Sequence, residues 1–575
     1  MDTSSYSLWD EPWICATDTS GHPRKYGLKG ILENAGDLIC LSNGNRIVDL
    51  AILRQCLLPL AEAIKSRYLP DGTCNMIKSE DDAIKRERLY LDEGTFPAAV
   101  LEAYGKDWKD RFYLYDAKHP FYQVPSYMVR TINNEPVISQ DDAAFTRFSC
   151  EVINPKINGS ESKEAGYPEV TGDAAKVLTN EEAARALVMY QAFADCSAGK
   201  GRRRKNGESL NAKPTPSSRA ALWFYQGSTL FKTITLNAPL CDYSKTDSQV
   251  LYGSYSPSWE EEPCEDVLVY PYGEEGGPND LARQYSCISR RAFLSRLDED
   301  TVDGLYALPG DVYGAASNMT EPMFRLQEIS QGKIRPVSIR DTGHIWSEIP
   351  RFFSAGIVRD YIDAVSEDGI HLKEDKFVFK VAQVFYASTG CKLSIFLQDQ
   401  IDISTRFLKE KDAARFGEYM SAIDEAAYAI RIFAKSGAEI MSMPDAKKGA
   451  AHATAIGDSL QRDYYTKMES IVRSYAEDKA DDKALEEAII ERAQKTTDEF
   501  TMRFKSSLFA TTGTDSRGNR YGNAIAIFAA NMKKIRLKYA LHDPYEDKRP
   551  SDGAESPADD AVGAEDTEDH ERGNL

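Results

Sequence analysis

The residues best suited to chemistry form one short run. Cys196-Ser197-Ala198-Gly199-Lys200-Gly201-Arg202-Arg203-Arg204-Lys205 places five bases in the six residues 200–205, directly behind small residues. Glycine lets a backbone approach a ligand closely, and Arg and Lys neutralise phosphates. The run therefore suits contact with a nucleic-acid backbone; its plainer reading is a solvated loop. A second set of bases, Lys533, Lys534, Arg536 and Lys538, lies on a C-terminal helix. It reads first as a solvated face and second as a candidate DNA contact. Bond-breaking patterns are missing: there is no GxxxxGK(S/T) phosphate loop, no HExxH and no GxSxG. His542-Asp543 stands alone, whereas a metal phosphohydrolase needs further ligands around such a pair. The seven histidines do not cluster, and the ten cysteines form no CxxC pair and none sits near a His at zinc spacing. That usage reads as reduced cytosolic thiols. The expected chemistry is recognition of a polyanion, with no metal and no cofactor.

The elements that must position these residues follow from local pattern. Thr179 with Glu182 three residues on is a capping box. The helix behind it carries Ala184, Leu187, Val188 and Gln191 on one face and ends before the basic run. Phe377–Tyr386 (FVFKVAQVFY) is a strand by its β-branched and aromatic content. The turn Ala387-Ser388-Thr389-Gly390-Cys391-Lys392 and the apolar Leu393–Leu397 complete a β-hairpin. Ala220–Asn237 reads as two buried segments around Gly227. Further short strands are expected around Val267–Tyr272 and Ser286–Leu297. In Asp110–Val124 the aromatics Phe112, Tyr113, Tyr115, Phe121 and Tyr122 predict a short strand or extended segment, a turn at Pro120 and a buried pair, with Arg111 and Asp116 pairing or capping the ends. Residues 148–178, punctuated by Pro155, Gly159, Gly166, Pro168 and Gly172, read as a long loop, of the kind that is either functional or disordered.

From about residue 405 the period becomes helical. Four apolar stripes run through Phe416–Ala434, Leu460–Tyr475, Leu485–Phe504 and Tyr521–Tyr539, the last through Tyr521, Ile525, Phe528, Met532, Ile535 and Tyr539. Breakers near Pro444, Asp481 and Gly513–Gly518 separate them, as in a four-helix bundle. The expected fold is α+β: a large mixed α/β N-terminal domain (1–404), a four-helix bundle (405–541) and a disordered acidic tail (542–575). The net charge of −20 over 575 residues argues against nucleic-acid binding by the whole surface. Nine of those charges lie in 543–575, however, which leaves the rest mildly acidic and able to carry discrete basic patches. No run of 18 apolar residues exists, so no membrane span is expected. The start, MDTSSYSLWD, is not a secretory signal, and a cytoplasmic location follows.

Several of these segments together resemble a known family. Arg111-Phe112-x-Leu114-x-Asp116-x-x-x-Pro120-Phe121-x-Gln123 resembles the N-terminal signature of CasA, the large subunit of the type I-E CRISPR Cascade. Leu8-Trp9-Asp10-Glu11-Pro12-Trp13-Ile14 looks like that family's opening L-x-x-x-PWI. Leu28 and Leu32, the apolar Leu50–Leu60, Glu181–Phe193 and Leu230–Asn237 also match, so the resemblance covers most of the first 240 residues. It implies a non-catalytic subunit that binds target double-stranded DNA at the protospacer-adjacent motif (PAM). Such a subunit helps open the duplex for pairing with guide crRNA, sits among the other Cascade subunits and recruits a helicase-nuclease. Sequence would then be read by base pairing and a short motif by protein.

By the same resemblance, Gly199 and Gly201 stand where the family has a glycine-rich loop that enters the minor groove beside the PAM. A loop within 148–178 reaches the guide RNA 5′ end and the DNA. The turn Tyr386–Lys392, with Ser388, Thr389, Gly390 and Lys392, occupies the place of the duplex-opening wedge, with Thr389 where the family often has glutamine. Tyr285–Arg291 keeps the Ser289-Arg290-Arg291 of the family's LTW-x-SR element and loses the Trp. Asp298–Asp303 is acidic where the family has a basic finger, so that role is not assigned. The competing classes are a nuclease with an unrecognised site, which metal-dependent cleavage by the purified chain would reveal, and a helical scaffold unrelated to CRISPR, which co-purification with guide RNA would exclude.

Overall fold

Short strands alternate with amphipathic helices through the first 400 residues, and long helices follow. The computed structural model describes residues 6–126, 131–132, 135–136, 147–154, 173, 176–194, 214–240, 255–263, 269–270, 281–313, 323–324, 326–330, 333–339, 346, 376–386, 393–441, 446–510, 514–515, 518, 520–542 and 544. The basic run 199–205, the turn residues Ser388, Thr389, Gly390 and Lys392, most of the loop 148–178 and nearly all of the acidic tail lie outside them.

The chain opens with β1 (Ile14–Asp18), β2 (Pro23–Tyr26), α1 (Leu28–Glu33) and β3 (Leu38–Leu41), the strands forming an antiparallel sheet in the order β2-β1-β3. α2 (Arg46–Ile52) runs through a π-helical stretch, Leu53–Leu57, into α3 (Leu58–Arg67); α4 (Glu80–Glu93) and α5 (Ala98–Trp108) follow. β4 (Arg147–Ser149), β5 (Leu178–Thr179), α6 (Asn180–Phe193), β6 (Leu222–Gln226), α7 (Leu230–Asn237), α8 (Leu281–Tyr285), β7 (Arg290–Arg296) and β8 (Thr301–Pro309) come next. β7, β8 and β4 form a second antiparallel sheet in that order, with β5 also paired to β8. β9 (Lys376–Tyr386) and β10 (Leu393–Ser404) make the expected hairpin, and β6 joins it in the order β10-β9-β6.

In the signature segment 110–124, α5 first tightens into a 3-10 turn over Lys109–Phe112. The chain then runs extended as expected: Tyr113 makes an antiparallel β-bridge to Ser7, Phe112 O accepts from Leu8 N and Leu114 N donates to Tyr6 O, both at 2.8 Å. Phe112 is fully buried, with ring centroids 5.2 Å from Trp9, 5.3 Å from Phe121 and 5.6 Å from Trp259. Leu114 is fully buried as well, while Tyr113 and Tyr115 are half-buried, the alternation of an extended segment. Asp116 caps the next turn through the N–H groups of Lys118 and His119, while Arg111 pairs with Glu262 at 2.7 Å instead of with Asp116. Tyr122 adopts φ 55°, rare for an aromatic residue, and its buried hydroxyl donates to Gln55 O at 2.5 Å.

Two further differences have local causes. Residues 298–303, read only as acidic, lead into β8, whose sequence TVDGLYALP is interrupted by Asp303 and Gly304. A Cβ at Gly304 would stand 2.7 Å from Phe148 O, so glycine permits the close approach of β4. The loop 148–178 begins and ends in strand, with β4 and β5 both on β8.

Four helices close the described chain: α9 (Glu410–Met441), α10 (Ala446–Ala476), α11 (Asp482–Ala510) and α12 (Tyr521–Lys538). α9 packs against each of the other three. Its buried residues include the expected Phe416, Met420, Ile423, Ala427, Ile430 and Ala434. On α12 the buried stripe is Tyr521, Ala524, Phe528, Met532 and Ile535, and Ile525, expected inside, is 37% exposed. One residue is a 100° step around a helix, so Ala524 takes the seam and Ile525 turns outward.

Candidate nucleic-acid interface

The site is built on the C-terminal end of α6. The capping box forms as expected: Thr179 Oγ1 accepts from Glu182 N at 3.3 Å, and Glu182 Oε2 accepts from Thr179 N at 3.1 Å. Ala184, Leu187, Val188 and Gln191 are all buried. Gln191 ties the helix to its surroundings. Its Nε2 donates to Tyr122 O at 2.9 Å and Arg290 O at 2.7 Å, and its Oε1 accepts from Arg290 N at 2.9 Å. The signature segment and the Ser-Arg-Arg segment therefore meet on one glutamine.

A helix end leaves carbonyls without intrahelical partners, and here they organise the site. Ala192 O accepts from Thr215 Oγ1 at 2.6 Å and from Ser217 Oγ. Phe193 O accepts from the Tyr386 hydroxyl. Ala194 O accepts from Arg290 Nη2 at 3.0 Å and from Thr215 N at 3.1 Å. The fully buried Arg290 cation sits where a helix dipole favours positive charge. Because Ala194 and Thr215 are bonded to each other, the segment carrying Gly199–Lys205 leaves and returns at one point. Tyr386 is the last residue of β9 before the turn that carries Ser388, Thr389, Gly390 and Lys392. The bases of the two sequence-predicted segments thus stand side by side, joined by one hydrogen bond. Thr215 and Ser217 carried no signal in the sequence beyond ordinary loop chemistry; Ser289 and Arg290 were marked only through the resemblance.

The hairpin base is held firmly. β9 pairs with β10 from Lys376↔Ser404 to Tyr386↔Leu393, with an irregularity at Phe385/Tyr386, and with β6 on its other edge. Gln383 accepts from Ile339 N at 2.6 Å and donates to Ser338 Oγ at 2.7 Å. One face of this sheet and helix α2 line an open pocket of about 270 Å³, with Phe224, Gln226, Lys380, Phe396, Arg46 and Asp49 among its walls. Burial pushes the Lys380 ammonium below its ordinary range and the Asp49 carboxyl above its own, the latter against two hydrogen bonds from Asn43.

On α12, Lys533 and Lys534 are exposed, and neither has an ionic partner among the described residues. Lys538 Nζ lies 2.5 Å from Glu425 Oε1 on α9, to which the Tyr539 hydroxyl also donates at 2.8 Å. Burial pushes the Glu425 carboxyl up, but the hydrogen bonds from Lys538 and Tyr539 outweigh it and hold the group below its ordinary range. His542 is drawn to the start of α11, its N–H donating to Glu486 Oε2 at 3.0 Å and its Nδ1 lying 3.2 Å from Glu487. Among the described residues no group of three or more His, Cys, Asp or Glu is placed to hold a metal, and no helix is long and apolar enough to cross a membrane.

Solved structures with this fold include CRISPR-associated protein Cse1 from Acidimicrobium ferrooxidans (TM-score 0.66, 17% identical, covering 94% of this chain and 100% of that one). Thermobifida fusca Cse1 is similar (TM-score 0.65, 18% identical, 93% and 98% covered), as is a chain of a CRISPR RNA-guided surveillance complex (TM-score 0.60, 13% identical, 92% and 99% covered). At such identities the likeness is one of fold. The family model for CRISPR-associated protein Cse1 matches residues 7–504. CasA/Cse1 from Thermus thermophilus is 24% identical over 258 residues, a match that spans 45% of this chain and 42% of the length of that relative. The chain belongs to the Cse1 (CasA) family, the large subunit of type I-E CRISPR Cascade.

Proposed function

We propose that this subunit binds target double-stranded DNA at the PAM, helps open the duplex for pairing with guide crRNA among the other Cascade subunits, and recruits the helicase-nuclease that degrades the target. It acts by binding, not as an enzyme, in the cytoplasm. The observation that supports this best is the cluster of carbonyls at the end of α6, which holds Thr215 against Ala192 and Ala194, the two flanks of the stretch that contains 199–205, next to Tyr386 at the end of β9. Cations set beside a wedge can hold the backbone while the adjacent base step is unstacked, a step that costs a few kcal/mol. Ser388, Thr389 and Lys392 then fill or bond the opened step, and Gly199 and Gly201 allow close approach to the groove. A loop in 148–178 meets the guide RNA end. The division of labour is 1–404 for DNA and guide contacts and a four-helix bundle, 405–541, for docking, with Lys533, Lys534 and Lys538 as further candidate DNA contacts. Similarity to a chain of an RNA-guided surveillance complex supports the same reading.

The test is salt dependence. Replacing Arg202, Arg203 and Arg204 by Ala should weaken duplex binding by the assembled complex and flatten the log–log salt slope by roughly one unit per lost phosphate contact. An unchanged slope would remove the basic segment from the interface.

A further inference from the structure

Helix α12 exposes a side that water does not favour. From Tyr521 to Met532 it carries no charged residue. Ile525 and Ile527 flank its buried stripe on either side, 37% and 41% exposed, with Ala526, Ala529 and Ala530 exposed on the outer face between them. Ile527 borders a groove whose apolar walls include Ala429, Ile432 and Ala524 and whose polar walls are Ser436, Asp515 and Asn531, so the strip runs onto α9, where Tyr428 is also exposed. The strip ends in cations: Lys533 and Lys534 stand exposed immediately beyond it. A contiguous apolar patch with a charged margin marks an interaction surface.

We infer that this face seats the chain's own C-terminal segment, residues 545–575. Position supports it: Leu541 N bonds to Arg536 O at 2.9 Å and His542 N to Glu486, so the segment departs from the lysine-bearing end of α12. Length supports it: a flexible chain of that size has a root-mean-square reach of roughly 30 Å, and an 18-residue helix spans about 27 Å. Charge and composition support it as well. Residues 545–575 hold eleven acids against three bases, and Ala558-Asp559-Asp560-Ala561-Val562-Gly563-Ala564 interleaves carboxylates with small apolar groups. The carboxylates meet Lys533 and Lys534 while Ala and Val cover the strip. Tethering raises the local concentration of the segment to about the millimolar range, so contacts too weak to hold a separate peptide suffice.

Carbodiimide coupling of the full chain, followed by mass spectrometry, tests the seat directly. Lys533 or Lys534 should couple to acids within 546–571 of the same molecule. The yield should drop several-fold in molar salt, where the screening length falls from about 8 Å to about 3 Å. The variant K533Q/K534Q, which lacks the reacting amines, should lose these cross-links at unchanged helix content and so serves as the control for their assignment. Hydroxyl-radical labelling of Ile525 and Ile527 should rise in a chain ending at Pro544. Coupling only between two molecules would assign the face to a second copy and overturn the inference. So would acids that couple elsewhere, or labelling that ignores the loss of the segment. Neither readout involves DNA, so failure here leaves the proposed function untouched.

Discussion

Tyr386 joins two segments that lie 193 residues apart in sequence, through its hydroxyl on Phe193 O. A single hydrogen bond of this kind contributes about 0.5–1.5 kcal/mol net, too little to decide folding but enough to bias how the hairpin turn sits beside the basic segment. Tyr386→Phe keeps the ring packed and removes only the donor. We expect a stability loss of about 1 kcal/mol, slower opening of linear duplex by the assembled complex, and little change on a target already opened as a bubble. Equal loss on both targets would make the bond merely structural. This pairing was not legible in the sequence. The basic run shows in its residue types and the hairpin in its β-branched content, but their adjacency is a long-range contact that no local pattern encodes. Arg290 illustrates the same limit: a buried arginine is rarely expected, and only the carbonyls at the end of α6 explain it.

Among the elements, α6 was the most readable because its start is specified twice over, by the cap hydroxyl and by the returning Glu182 carboxylate. Thr179→Ala should cost about 1 kcal/mol, seen as a lower denaturation midpoint with an unchanged slope, and Thr179→Ser should restore most of it. The elements that escaped prediction did so for identifiable reasons. β8 hides behind Asp303 and Gly304, which break its apolar alternation. α12 offered two nearly equivalent phases, and contact with α9 chose Ala524 over Ile525. The link between those two helices should be sensitive to acid. Glu425 is held below its ordinary carboxylate range in the folded chain, so the unfolded state binds its proton first. Its contribution is therefore present at neutral pH and lost as pH falls from the unfolded carboxylate range through the lower folded value. Glu425→Gln should destabilise the chain at neutral pH, and parent and variant should converge in acid. A gap that widens on acidification would contradict the role of Lys538 and Tyr539 as its stabilising donors.

Across the whole molecule, one apolar core runs from Leu8 to Leu541 and crosses the proposed boundary at residue 404. The crossing is specific. Arg473 on α10 donates to Gln400 O at 2.5 Å and lies 3.2 Å from Asp399, both on β10. Trp346 also crosses the boundary, its ring centroid 6.2 Å from that of Tyr465 on α10. The hairpin that carries the proposed wedge is thus braced from behind by the helices. Residues 1–404 expressed alone should keep their strands, since β9 is paired on both edges without help from the helices. They should also expose the face that met α10, and a patch beyond a few hundred Å² promotes self-association. The expected result is a fragment with sheet content by circular dichroism that is not monodisperse, assembles poorly with the other subunits and supports little target degradation. Supplying 405–575 as a separate chain should restore a one-to-one particle and part of the activity, because the contacts are side-chain contacts and need no peptide bond at the junction. Should 1–404 alone be monomeric and support full degradation, the helices would be neither brace nor docking site, and the proposed division of labour would have to be abandoned.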